Sequence, residues 1–378
     1  MTDSDRLVKY FKDHQKEYLD TLKTFVELES PTYESKEASD KCGRFLQDLF
    51  KDLGFRVKTI PQTKIGDHIV AEYGTGEKGT LLVGHYDTVY PLGTLKTMPF
   101  KIEGDKVCGP GVMDMKGGIL LACFGIKALI EFGLMPKTQT TFFINSDEEP
   151  GSFLSSDLIV AEAKKHKRAI VLEPALDRLG TVKARRYGRG TYRFTAHGRS
   201  SHSGLSPREG ISAIMELSQQ ALRIQSMNDF EKGFTLVPTC FFSGVEGTCT
   251  LPGEGWFSMD VRFRTEEMTS QKNKEILAMQ AITPGCRLEV TGGIDKPPLE
   301  ADPDLLNRTV ELGKELGMTI EGVTVGSGSD GNMICGAGVP TLDGMGVTGK
   351  DPHNPGEYVI LSHIPQRGAL VARLIQTL

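Results

Sequence analysis

The chain has 378 residues, of which 39% are hydrophobic and 25% are charged, and its formal net charge is −5. A domain typically spans about 150 residues, so this length predicts two or three domains with full hydrophobic cores. The 44 Lys and Arg residues are outnumbered by 49 Asp and Glu residues, and neither end carries a basic tract. This balance argues against a nucleic acid or an anionic membrane as partner and favours a small molecule or a peptide.

Two further features limit where the protein works and what it binds. The first twenty residues are charged, and no run approaches the roughly eighteen apolar residues of a membrane span, so we expect a cytoplasmic protein. The seven cysteines are scattered without CxxC spacing, which predicts neither a disulfide framework nor a thiolate zinc site. Any metal ligands should therefore be His and carboxylate side chains.

The first part of the chain alternates helices and strands. Helical spacing of apolar residues extends to about Gly54, and it is followed by the strands "HIVAEYG" and "GTLLVGHYDTV", the helix "GGILLACFGIKALIEFG" and the strand "TTFFIN". This order predicts an α/β fold with a mostly parallel central sheet flanked by helices. In such sheets the chemistry lies at the carboxyl ends of the strands, where polar clusters follow Val83, Asn145 and Leu172.

The middle of the chain becomes richer in strands and predicts a second domain. We place an inserted α+β domain at residues 183–292, between two parts of a catalytic domain at residues 1–182 and 293–378. Within the insert, Ser206 to Glu209 has the pattern of a capping box and predicts the start of a long amphipathic helix.

Several polar residues after these strands could carry chemistry. His85 and Asp87 are two residues apart, so the ring could bind a metal through one nitrogen while the carboxylate holds the other. A single His of this kind is more often a core or loop residue. Asp114 follows a glycine-rich loop before a helix, where the alternative is a simple N-cap.

The combination of candidates is more specific than any one of them. Glu148, Glu149, Glu173 and His353 each have an ordinary structural explanation, as a solvated charge pair, a strand-end carboxylate and a turn His. Together with the earlier candidates they provide two His and three carboxylate ligands, a set that suits two zinc ions bridged by one carboxylate. One glutamate of the adjacent pair would then bind metal while its neighbour accepts a proton from the attacking water.

Seven ordered motifs resemble one enzyme family over nearly the whole chain. They are "GHYDTVYPLGT", "VCGPGVMDMKGG", "NSDEEPGS", "LEPA", "GRSSHSG", "GSGSDGN" and "HNPGEYV". Their order and spacing are similar to those of the di-zinc exopeptidases and deacylases that include aminoacylases, peptidase T and the desuccinylases. The likeness is greatest to the folate-cleaving glutamate carboxypeptidases of this family.

The resemblance implies a role for each candidate. It implies two Zn²⁺ ions per subunit, which Co²⁺ or Mn²⁺ could replace, and a cis peptide after the bridging carboxylate. The resemblance implies that Asp114 bridges the two ions, that His85 and Glu173 complete one zinc site, and that Glu149 and His353 complete the other. It also implies that Glu148 is the general base and that Asp87 is the partner of His85.

The resemblance also implies a lid. The inserted domain would cover the active site and form a homodimer, with His202 reaching the partner's active site to stabilise the oxyanion. Arg262 would bind the free carboxylate of the substrate, a task suited to its planar, two-pronged donor group. The loop Gly326–Asn332 would contact the same carboxylate; its substrate-binding candidates are Gly326, Ser327, Gly328 and Asn332.

Two positions depart from the family pattern. Cys249 stands where family members commonly have an Asn that donates to substrate, and Met115 replaces a residue that is acidic in the glutamate carboxypeptidases.

From the ligand set and the family resemblance we expect a zinc hydrolase of the glutamate carboxypeptidase type, which cleaves an amide bond next to a free carboxylate. The alternatives are an N-acyl amino acid deacylase of the acetylornithine or succinyl-diaminopimelate type, and a non-catalytic binding protein on the same fold.

Overall fold

The computed structural model describes all 378 residues and divides into two compact units. The larger unit comprises Met1–Arg185, Glu300–Val325 and Ser329–Leu378, and the smaller unit comprises Arg186–Leu299 and Gly326–Gly328. No helix combines the length and the apolar character needed to cross a bilayer.

Ten α-helices and nineteen strands form the chain. The helices are α1 (Asp3–Asp13), α2 (Gln15–Glu27), α3 (Lys36–Asp52), α4 (Gly117–Glu131), α5 (Ser156–Ala163), α6 (Ala213–Ser226), α7 (Glu266–Leu277), α8 (Pro303–Glu315), α9 (Asp330–Gly336) and α10 (Ile364–Thr377). The strands are β1 (Arg56–Ile60), β2 (His68–Tyr73), β3 (Lys78–His85), β4 (Lys101–Glu103), β5 (Lys106–Cys108), β6 (Gln139–Asn145), β7 (Arg168–Val171), β8 (Thr181–Arg186), β9 (Gly188–His197), β10 (Ser201–His202), β11 (Phe234–Ser243), β12 (Thr250–Leu251), β13 (Glu254–Phe263), β14 (Arg287–Lys296), β15 (Leu299–Glu300), β16 (Glu321–Val325), β17 (Thr341–Leu342), β18 (Gly349–Lys350) and β19 (Tyr358–Ile360).

The larger unit is built on a six-stranded sheet with the order β1-β2-β6-β3-β7-β17. Strand β3 runs parallel to both β6 and β7, and β17 runs parallel to β7. Only the β1–β2 and β2–β6 pairs at one edge are antiparallel. The predicted α/β fold with a mostly parallel central sheet is confirmed.

Helices cover both faces of this sheet. Neighbouring residues of β6 pack on opposite sides, with Phe142 in the large core beneath α1 to α4, α8 and α10, and Phe143 in a smaller core with Ile159 of α5 and Ile334 of α9. Every residue of β6 is buried. Burial on both faces explains why the central strands have almost continuous apolar sequences rather than alternating ones.

A smaller sheet brings two distant loops of the larger unit together. Its order is β18-β19-β5-β4, and β19 pairs with β5 from Tyr358 opposite Cys108 to Ile360 opposite Lys106. The loop before β19 therefore lies beside the loop that follows β5. These two loops carry His353 and Asp114.

The smaller unit contains the antiparallel sheet β11-β13-β9-β14 and the helices α6 and α7. Buried and partly exposed residues alternate along β13, as expected for a sheet with one covered face. The predicted start of α6 at Ser206 was wrong: Ser212 caps this helix and accepts from the Met215 amide. The reason is that residues 207–209 form only a turn and Ile211 then pairs with Arg199, so the helix begins after this pairing.

Candidate metal centre

Three parallel strands end at one edge of the central sheet, and each delivers a polar candidate there. His85 is the last residue of β3 and lies opposite Asn145, the last residue of β6. Glu148 and Glu149 lie in the turn that follows β6, and Glu173 comes two residues after β7. The sheet topology therefore gathers side chains that are up to 88 residues apart in the chain.

Asp114 reaches the same place from a π-type turn, Val112–Lys116, that precedes α4. Its backbone is non-helical (φ −115°, ψ 98°), and its peptide bond to Met115 is cis, as the family resemblance implied. The residue before α4 is Lys116. Asp114 is therefore not the N-cap of that helix, and the simple structural alternative does not hold.

The two oxygens of Asp114 face two different groups of side chains. Oδ1 lies 3.2 Å from Nε2 of His85, which is also 3.5 Å from Oε1 of Glu173. Oδ2 lies 3.3 Å from Nε2 of His353, which is also 3.1 Å from Oε2 of Glu149. Asp114 thus lies between two half-sites, each with one imidazole and one further carboxylate.

These residues fit a pair of metal ions. Two ligand atoms bound at about 2.1 Å to one tetrahedral ion lie roughly 3.4 Å apart, which is close to the four distances above. His85, Asp114 and Glu149 offer atoms within 4.8 Å of one another, as do His85, Glu148 and Glu173. Buried Oε1 of Glu149 has no hydrogen-bond partner, so this carboxylate still has an unused ligand atom.

The electrostatics of the cluster favour added positive charge. Burial raises the pKa of Glu149 to about 7. Hydrogen bonds with Asp114 and Glu149 raise the pKa of His353 to about 11. Burial opposes ionisation of His85, but its hydrogen bonds with Asp114, Asp87 and Glu173 raise its pKa well above the usual value. Without metal, protons therefore supply the positive charge that buried carboxylates require.

Asp87 connects the half-site of His85 to the turn with the two glutamates. Its carboxylate accepts from the amides of Glu148 and Glu149, each at 3.2 Å, and from the Thr32 hydroxyl at 2.7 Å. Nδ1 of His85 lies 3.0 Å from the Asp87 carbonyl and 3.4 Å from its Oδ1. Asp87 can therefore orient the ring of His85 and the backbone that carries the proposed base.

The sequence analysis missed several buried polar residues at this edge. Nζ of Lys183, in β8, lies 3.8 Å from Oε2 of Glu173. The Asp330 carboxylate accepts from Nδ2 of Asn145 at 3.0 Å and from the Ser152 hydroxyl. Lys183 has no sequence signal, because it appears as an ordinary charge until the fold brings its partner close, whereas Asp330 lies in the loop Gly326–Asn332 but was not one of its candidates. Glu357 belongs to the same group.

The side chain of Asn332 makes a structural hydrogen bond at the start of a helix. It lies in the first turn of α9, where its side-chain oxygen accepts from the Ser329 amide at 2.9 Å in a capping box. The side chain is fully buried. This arrangement fixes the start of α9 at Asp330, inside the loop predicted at Gly326–Asn332.

The smaller unit carries the other candidates. Nδ1 of exposed His202 accepts from the amides of Gly204 at 3.1 Å and Leu205 at 3.2 Å. A neutral imidazole carries a proton on only one of its two nitrogens. Because Nδ1 is the acceptor here, the proton is on Nε2, and Nε2 is a hydrogen-bond donor on the other side of the ring. The Arg262 guanidinium pairs with Asp260 at 2.7 and 3.2 Å and donates to the Gly326 carbonyl at 3.3 Å.

The glycine-rich loop is held by a buried arginine of the same unit. Nη1 of Arg186 donates to the Ser327 hydroxyl at 3.1 Å and to the Gly328 carbonyl at 3.0 Å. The Arg186 side chain is almost fully buried. The conformation of Gly326–Gly328 is therefore set by this side chain, which sequence patterns did not single out.

Comparison with known proteins identifies the family. Residues 81–377 match the model of "Peptidase family M20/M25/M40". The chain is 33% identical to carboxypeptidase G2 of Pseudomonas sp. (strain RS-16), over 97% of this chain and 90% of the relative, and 32% identical to acetylornithine deacetylase of Pasteurella multocida, over 53% of this chain and 54% of the relative. The structure of the aminopeptidase PepT from Bacillus cereus superposes with a TM-score of 0.79 at 20% identity, covering 96% of this chain and 98% of PepT. This chain therefore belongs to the M20/M25/M40 family of metallopeptidases.

Proposed function

We propose that the protein is a zinc-dependent hydrolase that cleaves an amide bond next to a free carboxylate, as a glutamate carboxypeptidase-like exopeptidase. The observation that carries this proposal is Asp114, whose two oxygens face two separate imidazole and carboxylate groups beside Glu148. The similarity to carboxypeptidase G2 over almost the whole chain supports the same substrate type.

Two Zn²⁺ ions are assigned to the two half-sites of the centre. His85, Asp114 and Glu173 would hold one ion, and Asp114, Glu149 and His353 would hold the other. When bound, such a pair polarises the scissile carbonyl and lowers the pKa of the attacking water. Co²⁺ or Mn²⁺ could replace Zn²⁺, because imidazole and carboxylate ligands accept all three ions.

Glu148 is assigned as the general base. It takes the proton of the attacking water and returns it to the leaving amine. The hydrogen bond from its amide to Asp87 fixes its backbone, while its neighbour Glu149 is directed to His353. The turn after β6 thus allows two adjacent carboxylates to perform different tasks.

Residues of the smaller unit are assigned to the substrate. His202 donates from Nε2 to the oxyanion of the tetrahedral intermediate, in the tautomer that its backbone contacts favour. Arg262 and the loop residues Gly326, Ser327 and Gly328 bind the free carboxylate. The contact between Arg262 and the Gly326 carbonyl supports a common carboxylate site for the arginine and the loop.

We also propose that the protein forms a homodimer through the smaller unit. Strand β11 lies at the edge of its sheet, and Val237, Phe241, Phe242 and the nearby Val245 are exposed on or beside it. An exposed apolar edge strand favours pairing with another chain. A molar mass near twice 41.4 kDa in light scattering is expected, and a monomer at all concentrations would contradict the dimer.

N-acyl amino acid deacylation is the second candidate. Acetylornithine deacetylase is a relative, and Cys249 leaves the smaller unit without the amide that family members direct at substrate. The Cys249 carbonyl accepts from the Ser203 amide at 2.9 Å, so the backbone connection to the His202 turn is kept. We expect the substrate contacts of the Cys249 side chain to differ from those of an Asn at this position.

A substrate panel separates the two functions. Protein stripped of metal by a chelator and reloaded with Zn²⁺ is assayed on dipeptides and N-acyl glutamates, and separately on N-acetyl and N-succinyl amino acids. Cleavage of the dipeptides and N-acyl glutamates supports the exopeptidase, while cleavage confined to the N-acetyl and N-succinyl amino acids, which releases acetate or succinate together with the free amino acid, supports the deacylase. The same substrates with an amidated carboxylate are the control and should not be cleaved. No zinc-dependent hydrolysis in either set would contradict both functions.

A further inference from the structure

The Glu357 carboxylate is fully buried and is surrounded by four donors. Oε1 accepts from the amides of Met113 at 2.7 Å and Asp114 at 3.0 Å. Oε2 accepts from the Gly111 amide at 3.2 Å and from the Tyr90 hydroxyl at 2.6 Å. Glu357 is completely shielded from solvent. One side chain thus binds three amides of the turn that presents Asp114.

The same residue belongs to the loop that presents His353. Glu357 is four residues after His353, and its amide donates to the Asn354 carbonyl at 3.0 Å. The Tyr90 hydroxyl also lies 2.9 Å from that carbonyl. Asp351 and His353 have φ values of 61° and 64°, a left-handed conformation that non-glycine residues adopt only when their surroundings enforce it. The contacts of Glu357 are part of those surroundings.

A carboxylate suits this position better than a neutral side chain. Two oxygens with four acceptor sites can receive all four donors, whereas a glutamine would direct its NH₂ group at two of them. Leaving buried amide donors without an acceptor is unfavourable, so the turn around Asp114 would shift rather than tolerate the loss. Because Asp114 serves both half-sites, such a shift alters both.

A second buried carboxylate shows what the same contacts do away from the centre. Glu216 in the smaller unit accepts from the amides of Ile282 at 3.1 Å and Thr283 at 2.6 Å, and from Nε2 of Gln220 at 2.7 Å. It too is fully buried. It holds a loop that carries no candidate ligand, so it is a matched control for the general effect of replacing a buried carboxylate.

We propose that Glu357 is a positioning residue for the metal centre: it joins the Asp114 turn to the His353 loop and sets the geometry in which both residues meet the metal pair. This inference rests on the proposed metal function. The support is the set of four hydrogen bonds, the complete burial, and the separation of only 3.3 Å between His353 Nε2 and Asp114 Oδ2 at the junction of the two loops.

The test compares metal affinities of three variants with that of the wild type. Zn²⁺ dissociation constants are measured by competition with a chromophoric chelator, and thermal unfolding of each metal-free protein is recorded in parallel. Glu357→Gln should weaken Zn²⁺ binding about 10- to 100-fold, the range typical when a residue that orients metal ligands is removed. Tyr90→Phe removes only one of the four donors and should weaken binding by less than Glu357→Gln does. Glu216→Gln should lower the melting temperature with Zn²⁺ affinity unchanged.

Each outcome decides between the inference and its alternatives. If the wild type does not bind two Zn²⁺ ions, the proposed metal function itself is contradicted, together with the role of Glu357 that rests on it. If the wild type binds two ions and Glu357→Gln binds them equally well, only the positioning role of Glu357 is overturned. An equal loss of affinity in Glu216→Gln would show a general stability effect and would also overturn it. If Glu357→Gln does not fold, an unchanged affinity in Tyr90→Phe overturns the role and a weakened one supports it.

Discussion

Buried carboxylates occur in both units, and their surroundings differ. In the larger unit Glu149 faces Asp114, and burial raises the pKa of Glu149 to about 7. In the smaller unit Glu216 is fully buried, but hydrogen bonds from Gln220 and two backbone amides outweigh burial and lower its pKa. Glu149 lies among carboxylates with too little positive charge nearby, whereas the carboxylate of Glu216 has its hydrogen bonds supplied by donors of its own unit.

This difference separates a functional site from a structural one. A carboxylate held by amides stabilises a loop and requires nothing further. Carboxylates that face one another are costly unless a cation joins them, so their retention in the larger unit indicates a ligand. The two units should therefore respond differently to the loss of a carboxylate, of a donor and of metal.

The largest effect is expected for Glu148→Gln. The change removes the proposed base while keeping the size of the side chain, so kcat should fall by about 10²–10⁴-fold with two Zn²⁺ ions still bound. Steady-state kinetics together with metal analysis measures both quantities. Normal turnover in this variant would exclude Glu148 as the base.

A smaller fall in kcat is expected for His202→Ala in the other unit. Loss of one oxyanion donor should lower kcat by about 10²–10³-fold while Zn²⁺ content stays unchanged. His197→Ala is a suitable control because it removes another imidazole of the smaller unit, at the end of β9. If His202→Ala keeps its kcat, His202 has a structural role and is not the oxyanion donor.

Removal of metal should destabilise the larger unit. Zn²⁺ at 100 to 1,000 times its dissociation constant stabilises the folded state by about 2.7–4.1 kcal/mol, and a chelator removes that contribution. Trp256 is the sole tryptophan of the chain and lies in the smaller unit, where the Arg193 guanidinium is 3.8 Å from its ring. Circular dichroism should therefore show an earlier transition than Trp256 fluorescence. Coincident transitions that shift together would show that the units unfold as one.

The smallest effect is expected for Glu216→Gln, and it should depend on pH. Near neutral pH the substitution should lower the stability of the smaller unit by about 1–3 kcal/mol, read from Trp256 fluorescence. The folded pKa of Glu216 is lowered, so its stabilisation is complete above the unfolded value of about 4.3 and is lost as pH falls through the folded value. The difference between variant and wild type should therefore shrink in acid. A difference that grows on acidification would contradict the lowered pKa.

Local patterns predicted the main elements and failed where a β-bridge from outside the predicted helix intervened. The parallel sheet could be predicted because buried strands and amphipathic helices alternate along the chain, and both periodicities are local. The start of α6 could not, because the pairing of Ile211 with Arg199 competes with the capping signal at Ser206. Glu357 resembles an exposed turn residue in "NPGEY", since none of its donors lies within 200 residues of it in the chain.

The sequence by itself determined the family, the α/β class and the identity of the chemically competent side chains, because these depend on residue types, spacing and local periodicity. Only the tertiary structure decided that Asp114 lies between two half-sites and that Asp87 holds the turn of Glu148 and Glu149. It also decided that the carboxylates of Glu149 and Glu216 have different surroundings. The physical reason is that the protonation and the partners of a buried carboxylate depend on atoms a few ångströms away in space, and the fold supplies most of those atoms from remote parts of the chain.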